Sequence, residues 1–304
     1  MRHSTLSDFS TDDSWIILSD IEQSIKNKLI SHGVLLKDWN IHINRGVITG
    51  LNEAFIITRE KRDELISLDP KSAEIIRPIL RGRDIRRYKY EYADLWIIIA
   101  KFGSYKYLEQ KYPAIYHHLI QYKEALQKRG QCQYTSSGKK NLDKEYCGQH
   151  HWLELDNNPS DTYLNDLSAQ KIVWGEISDK PKFAIDIEGT YCPEATTFLM
   201  TGEHLKYLLC FLNSTLSEYY FAKYGTTTGM GTLRWKKYLI ELLPVPRIDD
   251  KQEAVFEEAL EQLLSGSVEQ LEARQIIDSL IYQTLNLSKE EIVFIEQMVV
   301  QGAH

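Results

Sequence analysis

Cysteine and proline are scarce in this chain, at four and eight of 304 residues. Thiols at Cys132, Cys147, Cys192 and Cys210 are too few and too scattered to frame a disulfide-stapled fold, so reduced side chains are expected. No run of 18 or more apolar residues occurs, and the first residues lack the apolar core of a secretion signal. A cytoplasmic protein with no membrane partner is the expectation. Nucleotide fingerprints are missing as well: there is no Walker loop, dinucleotide-binding glycine pattern or nucleophile elbow, and Gly229-Met-Gly231 is too short to count.

Three catalytic constellations fail on their own spacing. A base-flipping methyltransferase needs an Asn-Pro-Pro-Tyr-like tetrapeptide after an apolar strand. The nearest candidate, Asn157-Asn158-Pro159-Ser160, has no such strand and no aromatic to stack a base, so a loop turn is expected there. A metal-dependent nuclease would pair Asp94 with Glu109 and Lys111. Those two fall in an expected helix, where residues two apart point to different faces. Cys132, Cys147, His150 and His151 lie within twenty residues but lack the close Cys-x2-Cys pairs of a zinc site, and no metal ligand set is expected.

Charge is what the chain has in quantity, unevenly spread. The net charge is −7, yet residues 248–304 hold twelve acidic and three basic side chains, which leaves 33 basic against 31 acidic before them. The body is mildly basic and its tail acidic. Within Arg77-Pro-Ile-Leu-Arg81-Gly-Arg83-Asp-Ile-Arg86-Arg87-Tyr-Lys89-Tyr90, six basic residues surround one acid. Gly82, Tyr88 and Tyr90 break the run, so it reads as a turn feeding a strand over 90–100. Such a turn is either a polyanion site or a solvated loop pairing with nearby acids.

Periodicity supplies the rest. Ile17, Ile21, Ile25 and Leu29 predict an entry helix over 14–31, stopped by Gly33, and residues 59–68 predict a short one. Glycines at 46 and 50 predict strand, turn and strand across 41–58. Helix is expected over 105–129, broken near Pro113. A polar surface excursion follows over 130–168, with a strand at 151–155. Strands are expected at 171–177, 182–187 and 197–200, then a helix over 204–224 and a glycine- and threonine-rich loop to Lys237. Pro244 and Pro246 mark a boundary. Amphipathic helices are expected over 249–264, 268–285 and 288–300, the last opened by a Ser288/Glu291 capping box. The resulting class is α+β, with a lead-in over 1–40, a mixed α/β body over 41–247 and a helical segment over 248–304.

Donor-bearing turns are the remaining chemistry. Thr49 and Asn52 lie in the first, Arg81, Arg83, Arg86 and Arg87 in the second, and Thr226, Thr227, Thr228, Arg234, Trp235 and Lys236 in the third. Lys101 is a further basic candidate. Arginine can grip phosphate or read guanine, and asparagine can read adenine.

Several stretches together resemble the TaqI-like C-terminal specificity domain, the target-recognition domain of type II and IIG restriction-modification methyltransferases. They are Gly33–Trp39, Gly46–Phe55, Leu80–Tyr88, Lys171–Ile177, Tyr207–Ser214 leading to Leu243–Pro246, and Ile276–Tyr282 followed by Leu287–Ile292. The resemblance spans roughly residues 14–296, the carboxyl-terminal third of such enzymes. It implies a module that is not catalytic by itself and recognises double-stranded DNA for a methyltransferase domain or subunit. S-adenosylmethionine and magnesium would then belong to other domains. The arginine turn would chiefly contact phosphates, with more of the base readout in the flanking loops. The alternative is a subunit-docking module that reads no DNA.

Overall fold

A computed structural model describes residues 19–142, 145–157, 159–227 and 233–301. They form an α+β fold in two compact units. Among the described residues, one holds those of 42–176 and 184–201; the other holds those of 19–41, 177–183 and 202–301.

In the unit of residues 42–176 and 184–201, one sheet runs in the order Ile56–Thr58, Leu95–Ile98, Ile76–Leu80, Cys192–Pro193. Its central strand is the β-branched run at 95–98, flanked by antiparallel pairs Ile57 with Trp96 and Arg77 with Ile97. That run is shorter than the strand expected over 90–100, because Asp94 takes a left-handed φ of 58° and leads the chain out of extended geometry. A second sheet runs Ile41–Arg45, Thr197–Gly202, Lys171–Gly175, Phe183–Asp186. Phe55, Leu80, Ile97, Ile115, Leu155 and Leu199 are among the fully buried members of the core.

Two polar networks stiffen this unit. Lys171 has no exposed surface, and its ammonium donates to Asp186 at 2.7 Å and to the Leu167 carbonyl at 2.8 Å. The Asp186 carboxylate also accepts the backbone N–H groups of Thr190 and Tyr191. Buried charge is tolerated only when paired and hydrogen-bonded in this way. The second network revises the polar excursion over 130–168. Arg129 is buried and donates to the carbonyls of Thr49, Trp152 and Glu154 at 2.6–2.8 Å and to Asp156 at 2.9 Å. With those carbonyls taken by a side chain, residues 152–154 form a turn and a bend instead of the expected strand. Leu153 and Leu155 go into the core.

The expected helix over 105–129 is three short ones, Leu108–Lys111, Pro113–Ile120 and Lys123–Gln127. Pro113 occupies the first position of the middle helix, where its missing N–H costs nothing. The helix Arg59–Leu68 matches its expected bounds, and the Thr58 hydroxyl caps it.

In the other unit the entry helix is described over Asp20–His32, and Ile17 lies outside the described residues. Its buried face carries Glu22, Ile25 and Leu29 rather than Ile21, since Glu22 pairs with Lys223 at 2.7 Å. Gly33–Leu35 pairs antiparallel with Pro244–Pro246, in register Val34 with Val245. Prolines are accommodated there because the ribbon has only two strands. The helix expected over 204–224 is two, Leu205–Leu212 and Thr215–Tyr224. Asn213 interrupts it by bonding both backbone groups of Phe183, and Ser214 caps the second half. Helices Asp250–Ser265, Gln270–Thr284 and Lys289–Gln301 close the unit. The Ser288/Glu291 capping box is present, and Glu291 also accepts from Lys28 and Ser24 of the entry helix.

Candidate nucleic-acid interface

The arginine turn is built on one buried carboxylate. Asp84 is 5% exposed and accepts three bonds from Arg81: the backbone N–H at 2.9 Å, Nε at 2.9 Å and an Nη at 2.7 Å. Burial alone would raise its pKa, yet these bonds hold it below the usual carboxylate range. Arg86 folds back along the turn while staying partly exposed, donating to the carbonyls of Arg83 and Ile85 and to Glu91 at 2.8 Å. Backbone bonds from Arg86 to Lys89 and from Glu91 to Asp84 close the turn, with buried Tyr88 held at a φ of 68°. Two of the four expected phosphate ligands therefore serve as scaffolding.

That scaffolding presents other cations. Arg83 is exposed, its guanidinium making no hydrogen bond or ion pair to a described residue, and the same holds for the ammonium of Lys89, which composition placed in the basic run without singling it out. Arg87 is half-buried and has a partner of its own. A second missed residue is Arg45, half-exposed at the end of its strand, whose Nε donates to the Ala195 carbonyl at 2.6 Å. Segment 193–197 links the first two turns: Val47 bonds to the Pro193 carbonyl, and Glu194 bonds to the Leu80 carbonyl at the base of the arginine turn. The local signal for Arg45 was a basic residue before a turn glycine.

In the first turn, Thr49 is 3% exposed, and its hydroxyl donates to the Asn52 side-chain oxygen at 2.6 Å. Thr49 thus positions Asn52, which is exposed and keeps its amide N–H groups free of described partners. Gly50 has a φ of 68° and packs on the Asp156 carboxylate, so the Arg129 network fixes this turn from beneath. Lys101 pairs with Asp161 at 2.7 Å and borders a cavity with Arg77 and Lys111.

The third cluster belongs to the other unit. Thr226 is exposed on a two-residue strand paired with Leu233–Arg234, which in turn pairs with Ile177–Ser178. Thr228 lies outside the described residues, and of Thr227 only the backbone is described. Arg234 and Lys236 are half-buried. Trp235 is withdrawn from any surface role: it is 1% exposed, donates to the Ser178 carbonyl at 3.2 Å and packs on Phe221 and Phe183.

The discarded constellations have other uses. Ser160 caps the helix Asp161–Ser168, Asn157 bonds Gln131, and Asn158 lies outside the described residues. Asp94 pairs with Arg59, and Lys111 pairs with Glu74. Cys132 lies 3.7 Å from the His150 ring, Cys147 is exposed, and His151 stacks on Tyr105. Among the described residues no group of three or more metal-ligating side chains is arranged to hold an ion.

Comparison with known proteins follows the same outline. No curated protein sequence matches the chain. Among solved structures, the type IIL restriction-modification enzyme MmeI, determined in complex with DNA, is similar over 88% of this chain and 36% of its own, with a TM-score of 0.59 and 12% identity. The type IIG restriction endonuclease BpuSI is similar over 87% and 33%, with a TM-score of 0.46 and 16% identity. The chain thus spans about a third of the length of these enzymes. The MmeI likeness shows the fold. The TaqI-like C-terminal specificity domain model matches residues 77–245, more than half of the chain, starting at the first arginine of the basic turn. The chain belongs to that family of specificity domains.

Proposed function

We propose that this chain is a target-recognition module that binds double-stranded DNA for a restriction-modification enzyme and leaves the chemistry to a methyltransferase domain or subunit. The observation that carries the reading is the pinned turn, on which Arg81 is held inward and Arg86 is tied back to the turn while the side chains of Arg83 and Lys89 face solvent unpaired. A stiff turn presenting free cations suits phosphate contacts, which position a protein on the duplex without choosing the sequence. Asn52, held by Thr49 through its side-chain oxygen, is exposed with its amide donors available, and asparagine can read adenine. Thr226 and Arg234 add donors in the other unit. S-adenosylmethionine and magnesium would sit with the catalytic partner. The family match and the fold shared with DNA-bound MmeI support this assignment.

A docking role has its own observation: Val255, Leu264 and Leu271 are exposed on the acidic carboxyl-terminal helices. Fluorescence anisotropy of a labelled random-sequence duplex, titrated between about 50 and 200 mM salt, separates the two readings. Micromolar binding that weakens steeply with salt supports DNA recognition. Absence of salt-sensitive binding favours docking alone.

A further inference from the structure

A cavity of about 440 Å³ opens in the unit of residues 42–176 and 184–201, within the range of small-ligand sites. Its floor is one face of the sheet. Arg77 lies opposite Ile97 in that sheet, and just before its strand the Ile75 carbonyl accepts from Ile99. Leu108 and Tyr112 wall it on one side, Leu164 and Leu167 on another.

Its polar groups do not balance. Arg77 is exposed at this cavity, and its guanidinium makes no hydrogen bond or ion pair to a described residue. Ser104 is 2% exposed, borders the same cavity, and its hydroxyl has no partner. Lys101 and Lys111 face the cavity too, each tied to an exposed carboxylate, Asp161 and Glu74. Among the described lining residues three cations meet one acid, Glu74. A guanidinium only donates, and the buried Ser104 hydroxyl left unmatched costs free energy. The missing complement is an acceptor carrying negative charge. The aliphatic walls and the rings of Tyr107 and Tyr112 call for an apolar, ring-sized body attached to it.

We propose that this cavity binds a small aromatic oxyanion of mononucleotide size, its charged end held by Arg77, Ser104 and the two lysines and its ring against Leu108 and Leu164. The site takes a free ligand and is separate from the proposed duplex contacts at Arg83 and Lys89. Isothermal titration of the full chain with adenosine 5′-monophosphate tests it, with inorganic phosphate and adenosine as controls. The nucleotide should bind with a Kd below about 1 mM, and each control at least about ten-fold more weakly. R77L should weaken nucleotide binding by about ten-fold or more with an unchanged melting temperature, and L164W should abolish it by filling the cavity. No binding up to about 5 mM nucleotide overturns the proposal. So does an R77L affinity equal to wild type, or complete displacement of the nucleotide by duplex DNA.

Discussion

Replacing His150 by glutamine should flatten the pH dependence of stability above neutrality. The His150 side chain is wholly buried, with Nε2 3.0 Å from the Asp156 carboxylate and Nδ1 2.9 Å from the His151 carbonyl. Only an imidazolium donates from both nitrogens. Burial opposes the charge, but the bond to Asp156 and the nearby Cys132 sulfur outweigh it and push the pKa up to about 9. The unfolded value is about 6.5, so this stabilisation is complete below pH 6.5 and is lost as pH rises through about 9. A difference of that size corresponds to on the order of 3 kcal/mol. The loss would reach the candidate interface, because Asp156 also holds Arg129 and lies beneath Gly50. Urea unfolding of wild type and H150Q at several pH values between 6 and 9.5 gives the comparison. The burial that pushes the Cys192 thiol up to about 12 also weakens the fold in alkali, but it does so in both proteins and cancels in their difference. The expected result is a stability gap that closes by about 3 kcal/mol across the range. Parallel curves would refute a charged His150.

Three further substitutions probe the supports. K171M leaves the buried Asp186 carboxylate with backbone donors only and should cost about 3–5 kcal/mol in urea unfolding, part of which K171M/D186N restores; a single-variant loss under about 1 kcal/mol counts against the network. W235A should lower stability by about 3–5 kcal/mol while leaving the salt slope of DNA binding intact, because the indole is core. G50A forces a side chain onto a left-handed residue 2.5 Å from Asp156 Oδ2 and should cost roughly 1–3 kcal/mol, read by thermal melting, with weaker DNA binding through Asn52.

Locally encoded features were legible in the sequence. The helix at 59–68, the strands at 171–175 and 197–202 and the Ser288/Glu291 box follow from period, β-branching and caps within a few residues. What escaped depends on distant partners. Nothing near Asn213 says that its amide will bond Phe183 and split a helix, and nothing near Glu22 announces Lys223. The same limit governs the candidate site. The cluster of arginines was plain, but a buried Asp84 decides that Arg81 turns inward while Arg83 does not. Trp235 looked like a loop aromatic because its cage, Phe183 and Phe221, is assembled from two other segments.

The most direct test of the recognition role is the salt slope of DNA binding for wild type, R83A/K89A and R81A on one random duplex. Each phosphate contact contributes about 0.9 to the slope of log affinity against log salt, so losing Arg83 and Lys89 should reduce it by about 1.8. Between about 50 and 200 mM salt, the advantage of wild type over the double variant should then shrink about twelve-fold. R81A, whose guanidinium is closed onto Asp84, should lose stability and keep the wild-type slope. A double variant with the wild-type slope, or an R81A slope that falls as far as the double variant's, would contradict the account.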